Sequence, residues 1–181
     1  LRLAAWVEGQ WAMERALHGA PAKQSGPRTY TIFATHYNSN GRPIVALPDA
    51  CLKLANGGSQ SCDNKGYQAG QGYTVFIGYK GKAAAFPVGE AGPWNVDDNY
   101  WASLYDPQPR RMFADLAVGL PEAQAAFFNG YNGGQDQYGR TVTAPCGIDL
   151  GDGVGSQIGL PPGANDWIEV TFMWTEGWGQ P

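Results

Sequence analysis

Charge is scarce in this chain. Asp, Glu, Lys and Arg make up 15% of its 181 residues, and the formal net charge is −4. There is no basic run, which argues against nucleic acid as a partner. No apolar run is long enough to span a bilayer. Only two histidines occur, and His36 is alone in the strand-rich part, so a multi-histidine metal centre is not expected there. No G-x-G-x-x-G, P-loop, G-x-S-x-G or H-E-x-x-H motif is present. The expectation is a protein without metal or other cofactor. Nor does the opening LRLAAWVEGQW make a signal peptide, because Glu8 and Gly9 interrupt it and no small-residue cleavage site follows. The chain is therefore expected to be a mature, exported form.

Cysteine is also sparse, at three residues. Cys51 and Cys62 bracket a loop of Gly, Ser, Asn and Gln. A disulfide closing that loop is the expectation, and it implies an oxidising compartment; three reduced thiols are the alternative. Cys146 is then left over as a buried thiol, with no histidine placed to activate it.

Glycine and proline are abundant, at 26 and 13 residues. With 43% hydrophobic and 13% aromatic residues, the composition is that of a turn-rich, mainly β protein with a real core, not a disordered chain. Residues 1–28 are expected to be an N-terminal helix and linker. Leu3, Trp6, Gln10, Met13 and Leu17 share one helical face, which either packs on the same domain or docks a neighbouring subunit. Strands are expected at 29–37, 44–47, 73–79 and 82–88, with a Lys80-Gly81 hairpin turn. A last strand is expected at 167–174, with Ile168, Val170, Phe172 and Trp174 on one face. An insertion at about 96–145 carries two expected helices, Arg110–Leu116 and Pro121–Tyr131, and a further strand expected at Arg140–Ala144.

One carboxylate stands out. Asp149 lies between Ile148 and Leu150, after Gly147 and before a Gly-rich loop. Desolvation there raises a carboxyl pKa, as a general acid needs. The competing role is an Asp that accepts backbone N–H bonds at a turn. Aromatic residues crowd the insertion, among them Trp94, Tyr100, Trp101, Tyr105, Phe127, Phe128, Tyr131 and Tyr138. Flat rings of this kind stack on apolar sugar faces, though most large aromatics belong to cores.

The order of these pieces resembles a known group. A hairpin leads into Glu90-Ala91-Gly92-Pro93-Trp94, then come Gly147-Ile148-Asp149-Leu150, Ile158-Gly159-Leu160 and a closing strand. This is similar to the double-psi β-barrel of rare lipoprotein A proteins, expansin N-terminal domains and glycoside hydrolase family 45. The resemblance covers about residues 29–175. It implies a six-stranded double-psi barrel within residues 29–181, with Asp149 at the key aspartate position and Glu90 in place of the group's first Asp. Thr35-His36-Tyr37 resembles the Thr-x-Tyr of the group's first strand, which makes Thr35 and Tyr37 substrate-positioning residues. Trp94 and Trp101 are the ring candidates for a glycan groove. The implied partner is a polysaccharide, peptidoglycan or cellulose-like, and the implied activity is lytic transglycosylase or glycoside hydrolase, with secretion. An expansin-like binding module and an assembly or inhibitor protein on the same barrel are the alternatives.

Three departures qualify the resemblance. The stretch from Gly92 to Asp149 is long. Gly151, Gly153 and Gly155 disfavour the helix that usually follows the key aspartate. Family-45 hydrolases carry a second aspartate on the first strand, where Tyr37-Asn38-Ser39 has no carboxylate. Glu90, Asp97, Asp98 and Asp152 remain as candidate bases, and the sequence does not place any of them opposite Asp149. Single-acid chemistry or binding without cleavage is therefore preferred over two-carboxylate hydrolysis.

Overall fold

A computed structural model describes residues 26–49 and 73–178. Six strands close into a barrel: β1 (Arg28–His36), β2 (Val45–Leu47), β3 (Thr74–Tyr79), β4 (Lys82–Ala91), β5 (Ile148–Leu150) and β6 (Asp166–Phe172). Around the barrel the order is β1-β5-β2-β4-β3-β6. The β1–β5 and β2–β4 pairs are parallel, and they flank the antiparallel β5–β2 pair. The remaining neighbours are antiparallel.

Side-chain alternation explains the closure. Ile32 and Ala34 of β1, Val75 and Ile77 of β3, and Ile168, Val170 and Phe172 of β6 are buried, while their sequence neighbours are not. Each strand turns one face inward, and the inward faces form one core with Val45, Leu47, Phe86, Val88, Ile148 and Leu150. The hairpin between β3 and β4 turns on Lys80 and Gly81, both at positive φ (45° and 83°), the geometry that suits the twist of the flanking strands. β4 runs three residues further than its hydrophobic pattern predicts, and the extension pairs with β2. The last strand ends at Phe172, and Met173–Thr175 form a single 3₁₀ turn.

The insertion is more irregular than its sequence predicts. The expected helix at 121–131 forms as α1 (Glu122–Asn129), one residue after its expected start and two before its expected end, because Gly130 adopts left-handed geometry and stops it. Residues 110–116 are not helical. Arg110 is buried and draws the chain around itself: its guanidinium pairs with Asp98 Oδ1 at 2.6 Å and donates to the carbonyls of Ala117 and Leu120. Phe113 sits at φ 57°, off the helical region. The expected strand at 140–144 reduces to one bridge between Gln135 and Thr141, because Arg140 turns back to the Asp136 carboxylate. Conversely, a short helix α2 (Val154–Ile158) does follow Asp149. Gly153 and Gly159 bound it in left-handed geometry, and a Cβ on Gly155 would lie 2.7 Å from His36 Nε2. The glycines that lower helix propensity are the ones that let this helix fit.

Trp101 and Tyr100 plug the core. Trp101 is fully buried, stacked on Phe172 (4.9 Å, 21°) and edge-on to Trp174. Arg28 fastens the same loop by a two-pronged contact with Asp106 (2.6 and 3.0 Å) and a bond to the Trp101 carbonyl. The expected N-terminal helix and the Cys51–Cys62 pairing lie outside the described residues. Among the described residues, no helix is long and apolar enough to cross a membrane.

Candidate functional site

β5 is three residues long, and alternation sends Ile148 and Leu150 into the core and Asp149 to the outer side. Its neighbours follow from register. Thr35 of β1 lies directly beside Asp149, and Ala46 of β2 lies on the other side. The Thr35 hydroxyl donates a short hydrogen bond to Asp149 Oδ1, and no other described residue donates to this carboxylate. Asp149 is thus not the backbone-capping aspartate that a Gly-rich turn suggests. Burial raises its pKa, while the Thr35 bond and the nearby His36 oppose that rise. Gly147 is required for this placement, since a Cβ there would meet Pro121 Cγ at 2.4 Å and Ile32 Cγ2 at 2.7 Å.

Tyr37 follows β1, and its backbone N–H bonds the Leu150 carbonyl at the end of β5. Its hydroxyl is buried and has no hydrogen-bond partner. Burial, then the charge of Glu90, pushes its pKa up to about 12; Asp149 and Asp152 add to the rise and Arg42 opposes it. The phenol thus lies within the field of both Asp149 and Glu90. Glu90 is half-exposed and pairs with Arg42 at 2.5 Å.

Trp94 enters on a turn in left-handed geometry. Gly92–Pro93 is a cis peptide, and Trp94 has φ 57°, which is costly for a large side chain. The insertion holds the turn in place: Arg140 Nη2 donates to the Trp94 carbonyl, Gln137 Oε1 accepts from the N–H groups of Val96 and Asp97, and the indole packs on Ala123, Ala126 and Val142. Cys146 lies between Trp94 and Asp149. Burial raises the thiol pKa to about 11, against opposing contacts with Thr35 and Trp94, so this is a free but unreactive cysteine.

The expected residues thus divide. Thr35, Tyr37, Asp149, Glu90 and Trp94 are brought to one side of the barrel. Trp101 is not among them: its ring is sealed in the core, where no sugar can reach it. Of the candidate bases, Asp152 is spent as a loop anchor, accepting from Ser39 N, Ser39 Oγ and Gly41 N. Asp98 is buried against Arg110 and accepts from the Glu122 N–H. Arg42 and Cys146 belong to the site and were not singled out by sequence reasoning; an arginine in a loop and a lone cysteine give no local signal of a site. Among the described residues, no three His, Cys, Asp or Glu side chains gather to hold a metal ion.

Residues 22–171 match the model of a family described as a domain of unknown function (DUF8814). The chain belongs to that family. The matched segment covers β1 to β5, all of β6 but its last residue, and every side chain of the site just described. No curated protein and no solved structure matches the chain. The DUF8814 match therefore gives membership, and the chemistry rests on the residues themselves.

Proposed function

We propose that this DUF8814 protein is a secreted, glycan-active protein of cell-wall type, built on a double-psi β-barrel, with Asp149 as its general acid. The topology is supported by two parallel pairs placed symmetrically about β5 and β2, an arrangement that two interlocked ψ-shaped motifs generate. The function is carried by one observation: Asp149 is half-buried, has a raised pKa, and has Thr35 as its single donor beside the unpartnered Tyr37 hydroxyl. A carboxyl group whose pKa burial has raised can hand its proton to a glycosidic oxygen as the bond to carbon breaks. Thr35 fixes the orientation of that carboxyl group. Tyr37 packs beside that carboxyl group and helps to position the substrate, and Trp94 stacks against a sugar face. The partner is a polysaccharide of peptidoglycan or cellulose type.

Incubation with peptidoglycan and with cellulose, followed by mass spectrometry of the soluble fraction, tests this. Soluble sugars are expected from one of the two, and Asp149→Asn is expected to abolish them with the fold intact by circular dichroism. Activity is expected to fall on the alkaline side as Asp149 loses its proton, since an acid must be protonated to act. Release of nothing from either glycan, with retention on the insoluble material, converts the proposal to an expansin-like binding module.

A further inference from the structure

We propose that Glu90 is the catalytic base that works with Asp149, so that the reaction is hydrolysis with inversion. This rests on the glycan-active reading above. It starts from the strand register. Ala46 of β2 pairs with Asp149 on one side and with Glu90 of β4 on the other. Thr35, Asp149, Ala46 and Glu90 therefore lie on one rung across four adjacent strands. Residues directly opposite one another in a sheet share a face.

Glu90 should not be on that face by simple alternation. Phe86 and Val88 of β4 point into the core, and the next even position is Glu90. The register shifts between Val45 and Ala46: Val45 pairs with Val88, but Ala46 pairs with Glu90. One extra residue, Gly89, is accommodated there. The phase of β4 reverses, Ala91 packs against the core, and Glu90 joins the outer face with Asp149. Bulges re-aim side chains in this way, often beside active sites. Glycine suits the bulge, because a Cβ on Gly89 would lie 2.8 Å from Ile44 Cδ1 and push that side chain aside. The fold thus spends an irregularity to turn this carboxylate outward.

The spacing suits the chemistry. Two strand steps put the Asp149 and Glu90 Cα atoms about 10 Å apart. Inverting glycosidases hold their carboxyl groups roughly 6.5–9.5 Å apart, which leaves room for water. Flexion of the longer Glu side chain covers the difference. Ala46 between them is small and puts no long side chain between the two acids, and the unpartnered Tyr37 hydroxyl lies in the field of both. Arg42 holds one oxygen of Glu90 and orients the group. In the step itself, a water oxygen bonds to the anomeric carbon and gives a proton to Glu90. The bond from that carbon to the glycosidic oxygen breaks, and its electron pair takes the proton of Asp149. Glu90 ends protonated and Asp149 ends as the carboxylate, and exchange with solvent restores both.

Digestion of peptidoglycan and of cellulose in ¹⁸O-labelled water tests the assignment. The expected product carries one ¹⁸O at its new reducing end, in the anomer inverted relative to the cleaved bond as read by ¹H NMR before mutarotation; the retained anomer would overturn Glu90 as the base. Glu90→Gln is expected to lower kcat by about 100-fold or more with KM unchanged, as loss of a general base does. Near-UV circular dichroism and retention on the insoluble glycan check that the variant folds and binds. A product that is an anhydro-sugar without ¹⁸O, or a Glu90→Gln protein with wild-type kcat, would overturn the role of Glu90 and leave Asp149 as a lone acid. A wild-type protein that releases nothing from either glycan overturns the glycan reading itself.

Discussion

Glu122 shows how a single buried group sets the behaviour of its surroundings. Its side chain is fully buried at the start of α1, with Asn95 Nδ2 bonded to Oε2 at 2.7 Å and no partner on Oε1. Burial raises its pKa from 4.5 to about 7; the Asn95 bond opposes the rise, and Asp98 and Asp136 add to it. The folded state therefore holds a proton that the unfolded chain gives up. This contribution to stability is fully present below pH 4.5 and is lost as pH rises towards 7. A shift of that size corresponds to about 3 kcal/mol. Glu122→Gln removes the charge and keeps the acceptor for Asn95. It is expected to be more stable than wild type at pH 8, with the gap closing below pH 5, as read by urea unfolding at several pH values. Nothing in the local sequence marks Glu122, which looks like an ordinary acidic residue in a first helical turn. Its burial comes from the Trp94–Asn95 turn that folds over it. Asp149 was legible, because its two aliphatic neighbours on a short strand already imply partial burial.

At the level of elements, strands were legible and the insertion was not. Alternation in β1, β3 and β6 follows from residues adjacent in sequence, so the pattern carries its own solution. Residues 96–121 instead organise around long-range pairs. Arg28 reaches Asp106, and Arg110 reaches Asp98, both with almost no exposure. Arg110 Nη2 is 2.6 Å from Asp98 Oδ1, and Asp98 Oδ2 takes the first N–H of α1. Removing one member of such a pair strands a buried charge and costs about 3–5 kcal/mol. Asp98→Ala is thus expected to lower the unfolding midpoint sharply. Asp115→Ala, on an exposed bond to Tyr131, is expected to change it by less than about 1 kcal/mol. Comparison of the two variants by thermal melting separates the role of the pair from a general sensitivity of the loop. The short helix α2 was missed for a related reason. Helix propensity penalises Gly155, yet a Cβ there would lie 2.7 Å from His36 Nε2 and displace that imidazole.

For the whole molecule, barrel closure and loop packing are one event. Trp101 comes from the insertion yet sits against Phe172 and Trp174 at the end of the last strand. Trp101→Ala is expected to cost about 3–5 kcal/mol and to leave a cavity in the barrel core. Loss of near-UV ellipticity together with a lowered urea midpoint would report it; a wild-type midpoint would contradict the plug. The sequence by itself determined the mainly β class, the strand faces, the presence of α1 and the prominence of Asp149, because each depends on neighbours within a few residues. Tertiary structure alone decided which aromatics are core, which acids are spent on anchoring, and which carboxylate shares a rung with Asp149. The last of these turns on one bulge at Gly89, and a one-residue change of phase shows only when β4 is laid against β2.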